Sequence, residues 1–199
     1  MEVLLTLSDI NKLDKVLICK PDGLIFGQDF STRFNYSISD FEKINAFCLK
    51  NNFKRYLSID AFINEEDKID LINYLLYIKD KNFDGIYFSD LGIINLAKTL
   101  NIESKLIYDP DTLMTNSLDI AFYLKQGIDV VVARELEVEE LFRIIKNNKY
   151  KLDMQVFGHL KLSNSKREFL TNYYKHLGIK KDIKNKKTIH IIFNIFFNT

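Results

Sequence analysis

The run from Gly85 to Asp109, GIYFSDLGIINLAKTLNIESKLIYD, holds two short β-branched and aromatic segments with an apolar-periodic stretch between them. GIYFS runs into Asp90 and KLIY runs into Asp109. A strand that passes through a helical stretch to a second strand predicts a parallel pair joined by a crossover helix. Outward from this unit the pattern recurs. The opening VLLTL reads as a strand. LIFG (Leu24 to Gly27) leads to Gln28, YLSI (Tyr56 to Ile59) to Asp60, VVVA (Val130 to Ala133) to Arg134 and Glu135, and MQVFG (Met154 to Gly158) to His159. Apolar residues recur at helical spacing over Ile38 to Lys50, Lys68 to Lys81 and Ser117 to Gln126, with Gly127 placed to close the last of these.

Alternating strands and helices predict an α/β fold with a parallel sheet and helices packed outside it. Units of roughly 20 to 30 residues suit a TIM-type (β/α) barrel, which runs to roughly 250 residues when complete. The chain has 199 residues. The expectation is therefore an incomplete barrel of about seven parallel strands over residues 1–179. The remainder, residues 180–199, reads as a low-complexity basic and apolar tail. Its Lys, Asn, Ile and Phe suit an A/T-rich frame, which makes a truncated or frameshifted gene the expected origin of that ending.

Charge and cysteine usage narrow the class. Lys plus Arg number 28 against 27 for Asp plus Glu, so no whole-surface field attracts nucleic acid or an anionic membrane, and any such contact must be local. Cys19 and Cys48 are far apart in sequence, which suits neither a disulfide scaffold nor a thiolate metal site, and points to a reducing, cytoplasmic setting. The opening apolar run is too short and too acidic at its edges for a secretory signal. The closing TIHIIFNIFFNT falls short of the roughly 20 residues that span a bilayer, so no membrane association is expected.

In a (β/α) barrel the chemistry sits at the carboxyl ends of the strands. That rule selects Asp60, Asp109, Arg134, Glu135 and His159 as candidate catalytic residues, with Gln28, Asp90 and Gly158 as candidate substrate-binding residues. Each has a plainer reading. Asp90 before LGIINLAKTL is a preferred helix cap. Arg134 and Glu135 can pair at the rim, although two opposite charges directly after an apolar VVVA run are costly to place without a cleft to line. His159 is a lone histidine without a named partner. The sequence has no GxGxxG or GxxxxGK[ST] phosphate loop, no HExxH pair and no GxSxG elbow, and Ser163 and Ser165 near His159 lack a third group for a triad.

FSTR at Phe30 to Arg33, SIDAF at Ser58 to Phe62, FSDLG at Phe88 to Gly92 and ARELEVEEL at Ala133 to Leu141 follow one another in the order of motifs of a known family. In these stretches the chain resembles the collagenase-like proteins, family thirty-two of the peptidases of unknown catalytic type, over roughly Met1 to Gly178. The resemblance implies a TIM barrel and either peptidase annotation or hydroxylation chemistry, including prephenate-dependent 5-hydroxyuridine formation in tRNA. The family's signature, a Glu, then His-Gly-Ala-Leu-Cys, then Gly-Arg-Cys and a Ser, falls on this chain with Gly158, Leu160 and Arg167 retained. Asp153 stands for the Glu, Phe157 for the His, His159 for the Ala and Lys161 for the first Cys. Lys166 stands for the second Gly, Glu168 for the second Cys and Thr171 for the Ser.

Iron–sulfur clusters in cysteine-containing relatives need four thiolates, and an ammonium or a lone carboxylate does not replace one. No cofactor is therefore expected in this chain. The resemblance leaves two classes of function. One is an enzyme or enzyme subunit related to the tRNA uridine hydroxylation branch, in which Arg134, Glu135 and Arg167 bind a small anionic substrate and SKREFLTNYYK faces tRNA. The other is a degenerate, non-catalytic barrel completed by a paralogous barrel subunit. Arg and ring faces can stack on exposed bases. The same aromatics can equally form the inner face of a helix. Peptidase activity is doubtful.

Overall fold

The computed structural model describes residues 2–147, 152–158 and 169–179. Six strands form one sheet: β1 (Leu4–Thr6), β2 (Gly23–Phe26), β3 (Lys54–Ile59), β4 (Gly85–Phe88), β5 (Lys105–Tyr108) and β6 (Asp129–Val130). Every neighbouring pair is parallel and the spatial order is the chain order. Between them lie α1 (Leu13–Cys19), α2 (Ile38–Lys50), α3 (Lys68–Lys79), α4 (Gly92–Thr99) and α5 (Ser117–Leu124), with α6 (Val138–Asn147) after β6. This is the half-barrel of a TIM-type fold. A separate unit begins at Leu162, and its described part is α7 (Phe169–His176).

The seventh expected strand is the one that does not form. Asp153 makes a single parallel bridge to Val131, with Val132 donating to the Asp153 carbonyl and Asp153 to that of Val130, while residues 154–158 carry no strand. β6 also starts one residue early and stops at Val130, so most of VVVA lies beyond the strand.

A parallel strand sandwiched between helices and a barrel interior is apolar on both faces, and successive side chains alternate between them. Leu24 and Phe26, Leu57 and Ile59, Ile86 and Phe88, and Val130 belong to the large core shared with Phe41, Ile44 and Cys48 of α2, Leu71, Leu75 and Ile78 of α3, and Ile93 and Ile120. Phe26 and Phe41 rings lie 5.3 Å apart across this layer. The opposite parity carries Tyr56, Tyr87, Ile107 and Val131, a smaller inner cluster. The two tyrosine rings meet at 5.8 Å, and their hydroxyls donate to Glu2 at 3.3 Å and Asp153 at 2.7 Å. Replacing a residue such as Leu57, wholly buried, by Ala costs about 2–5 kcal/mol.

Helix boundaries follow their caps. The Ser37 hydroxyl accepts from the Asp40 backbone to open α2, and Asn116 accepts from Leu118 and Asp119 to open α5. Gly127, at φ 74°, takes the left-handed turn after α5, its N–H donating to Leu124 while Ile128 donates to Tyr123. α3 ends at Lys79, two residues before the expected Lys81.

Candidate functional site

Strand parity sorts the residues that sit just past the strand ends. Asp60 continues the inner series of Tyr56 and Ser58, and Asp109 continues that of Ile107. Gln28 continues the helix-facing series of Leu24 and Phe26, and Asp90 that of Ile86 and Phe88. Only the first pair reaches the inner mouth of the half-barrel.

There Asp60 and Asp109 are buried, at 2% and 6% exposure, and each is surrounded by donors. Asp60 Oδ1 accepts from Ser31 Oγ at 2.6 Å, the Thr32 backbone N–H at 2.9 Å and Ser58 Oγ at 3.2 Å, while Oδ2 accepts from Thr32 Oγ1. Arg33 Nε lies 3.6 Å from the same oxygen. Arg33 Nη2 then reaches Asp109 Oδ2 and Asp111 Oδ1, both at 3.3 Å. Arg134 Nη2 donates to both Asp109 oxygens, at 3.1 and 2.9 Å, and its Nη1 to Asp111. Two guanidinium groups thus bridge three carboxylates across the ends of β3 and β5 and the loops after β2 and β6.

Close approach of backbone builds this arrangement. A Cβ added at Gly27 would stand 2.7 Å from the Ser58 carbonyl oxygen, so only glycine lets the loop after β2 fold over the end of β3 and bring Ser31, Thr32 and Arg33 to Asp60. Asp111, two residues past Asp109 across Pro110, holds φ at 65°, which turns its carboxylate back toward Arg134. The Arg134 side chain is 5% exposed and its Nε has no hydrogen-bond partner among the described residues, whereas Arg33 is 29% exposed and faces the opening. Charges buried to this degree persist only when paired, and the network supplies that pairing.

The other described candidates do not join this network. Asp90, just before the Leu91 cap of α4, accepts from the Gly92 backbone at 2.8 Å and from the Ile63 backbone at 3.1 Å. Gln28 lies among residues of the helix layer. Glu135 is exposed, and Arg134 pairs with Asp109 and Asp111. Gly158 is exposed at φ 117°. His159 and Arg167 lie outside the described residues. The strand-end rule misses Arg33 and Asp111. Arg33 lies in the FSTR motif, but the rule stops at the first polar residue after the strand.

The donor set does not fit an iron–sulfur cluster. Cys19 is exposed at the end of α1, and Cys48 is buried in α2 behind the sheet, where burial pushes its thiol up to about 12. Among the described residues no group of three or more His, Cys, Asp or Glu is arranged to hold a metal ion. No described helix is long and apolar enough to cross a membrane.

A parallel half-barrel with a charged, buried network at the carboxyl ends of its strands defines a protein of the TIM-barrel class. The chain belongs to peptidase family U32, whose model matches residues 10–182. It is similar to tRNA hydroxylation protein P2 of Bacillus subtilis, 26% identical over 153 residues, covering 76% of this chain and 50% of that protein. It is also similar to tRNA hydroxylation protein P1 of the same bacterium, 24% identical, covering 86% and 42%. An uncharacterized protease of Methanocaldococcus jannaschii is 30% identical over 62% of this chain and 31% of its own length. The chain therefore spans half or less of the length of these curated relatives. The structure of the U32 peptidase Mk0906 superposes with a TM-score of 0.58 at 16% identity, over 77% of this chain and 67% of that one, a likeness of fold.

Proposed function

We propose that this chain is an enzyme or enzyme subunit of the tRNA uridine hydroxylation branch of the family, and that its mouth network binds a small anionic substrate. The observation that carries this reading is the pair Arg33 and Arg134, held by Asp60, Asp109 and Asp111 at the carboxyl ends of the strands. A guanidinium fixed by carboxylates presents its remaining N–H groups in a set direction, and the planar fork suits a carboxylate or phosphate. Arg33, the more open of the two, is the contact residue. Arg134 Nε is the buried donor that still lacks an acceptor among the described residues. Asp60 and Asp109 act by positioning these cations. Glu135, exposed directly after Arg134, is proposed as part of this site, and the basic, aromatic segment around α7 is proposed, by itself, as a tRNA contact.

Similarity to two relatives named tRNA hydroxylation proteins, P1 and P2, supports a paralogous subunit as partner. Peptidase activity is not part of the proposal. The test is nucleoside mass spectrometry of tRNA from a strain lacking the gene. Hydroxylated uridine should fall and be restored by the wild-type gene, and Arg33→Ala should restore it far less. Unchanged hydroxyuridine in the deletion strain, with any paralogue also removed, would overturn the assignment.

A further inference from the structure

On the helix side of the sheet, away from the inner mouth, a cleft of about 420 Å³ opens between the loop after β2 and helices α2 and α3. Two of its lining side chains are more than nine-tenths buried and lack hydrogen bonds at their polar ends: Gln28 Oε1, on a residue 4% exposed, and Tyr74 Oη, on a residue 7% exposed. Buried polar atoms are nearly always partnered, and a pair of exceptions lining one cleft marks a place where a partner is to be supplied. The rim adds Asp29 and Asp70, both exposed, neither carboxylate with a hydrogen bond or ion pair among the described residues. Asp70 precedes Tyr74 by four residues and Tyr77 by seven, so all three share one face of α3. Asp29 lies close enough to Tyr74 to help burial push that phenol up.

Gln28, Tyr74 and the Asn73 amide bring donors as well as acceptors, but the charge at the cleft is of one sign. An amide oxygen and two carboxylates only accept hydrogen bonds, and the phenol can do so. The walls are aromatic, with Phe30 and Tyr74 rings 5.5 Å apart and Tyr74 and Tyr77 at 6.5 Å. An anion is excluded by the carboxylates. A metal ion would find no cluster of three ligating groups among the described residues. Lys81, whose ammonium lies over the Tyr77 ring, is held by Glu42 at 2.6 Å. What remains is a donor-rich organic cation with a short apolar stem, which ring faces also attract.

We propose that this cleft binds a small aliphatic guanidine or amine, whose N–H groups are taken by Gln28, Tyr74 and the carboxylates of Asp29 and Asp70. The site is independent of the mouth network and of the function proposed for it.

Isothermal titration of the full chain with agmatine tests this, with the neutral n-butylurea as a control of similar shape. Saturable binding of agmatine is expected, with none for the urea. Asp70→Asn, at an exposed position in the first turn of α3, and Tyr74→Phe, which keeps the ring, should each weaken it by about tenfold or more. Asp111→Asn at the mouth should leave it unchanged. Absence of saturable binding at millimolar agmatine would overturn the proposal. So would equal affinity in Asp70→Asn and Tyr74→Phe to that of the unmodified chain, or a loss produced by Asp111→Asn alone.

Discussion

Asp109 is the hinge of the mouth at the scale of single residues, because both guanidinium groups meet on it. Removing one member of a buried charge cluster leaves the others uncompensated, a larger loss than the cluster's net contribution to stability. Asp109→Asn is expected to lower unfolding free energy by about 3 kcal/mol, read as a shift of the urea midpoint at neutral pH. Asp111→Asn, whose carboxylate is 17% exposed, should cost less. Equal stability of Asp109→Asn and wild type would mean that the network contributes nothing to the fold. Asp60 and Asp109 are legible in the sequence as strand-end carboxylates. Their separation from Gln28 and Asp90 is not, because both faces of a buried parallel strand are apolar and nothing in YLSI or LIFG marks which face looks inward. Arg33 and Asp111 are hidden for another reason, since loop geometry and not strand period delivers them.

At the scale of elements, β3 and β4 carry a titratable inner layer. Burial, aided by the carboxylates of Glu2 and Asp153, pushes the Tyr56 and Tyr87 phenols well above the usual value, and Tyr108 on β5 is raised to about 12, chiefly by burial. Above pH about 10 an unfolded chain releases these protons while the folded chain keeps them. The unfolded state then binds fewer protons, so stability falls as pH rises. Below that pH these groups exert no pH dependence. Tyrosine ionisation followed by its ultraviolet absorbance should therefore come late and steeply, together with loss of the circular dichroism signal. Early, gradual ionisation with the fold intact would contradict the buried inner layer. The strand segments themselves are legible from β-branched and aromatic runs, and six of the expected strands form. MQVFG forms none because its residues lie past the single bridge at Asp153, where pairing with β6 ends.

On the scale of the whole molecule, the half-barrel presents surfaces that call for company. Leu118 and Phe122 stand four apart on α5, and Val138, Phe142 and Ile145 follow one face of α6, all exposed. β1 pairs only with β2, leaving its outer edge without a strand among the described residues. Open edges and apolar stripes recruit other chains. Purified chain is expected to self-associate or to need a partner, as seen by sedimentation velocity. A dilute monomer that unfolds cooperatively would show that the chain buries these faces itself. The strand order has a separate consequence, for synthesis. Because each strand pairs with its predecessor in the chain, β2 can dock on β1 as soon as both have cleared the ribosome, and every later strand finds its template already laid down. Assembly can run in step with translation, with no strand held waiting for a distant partner.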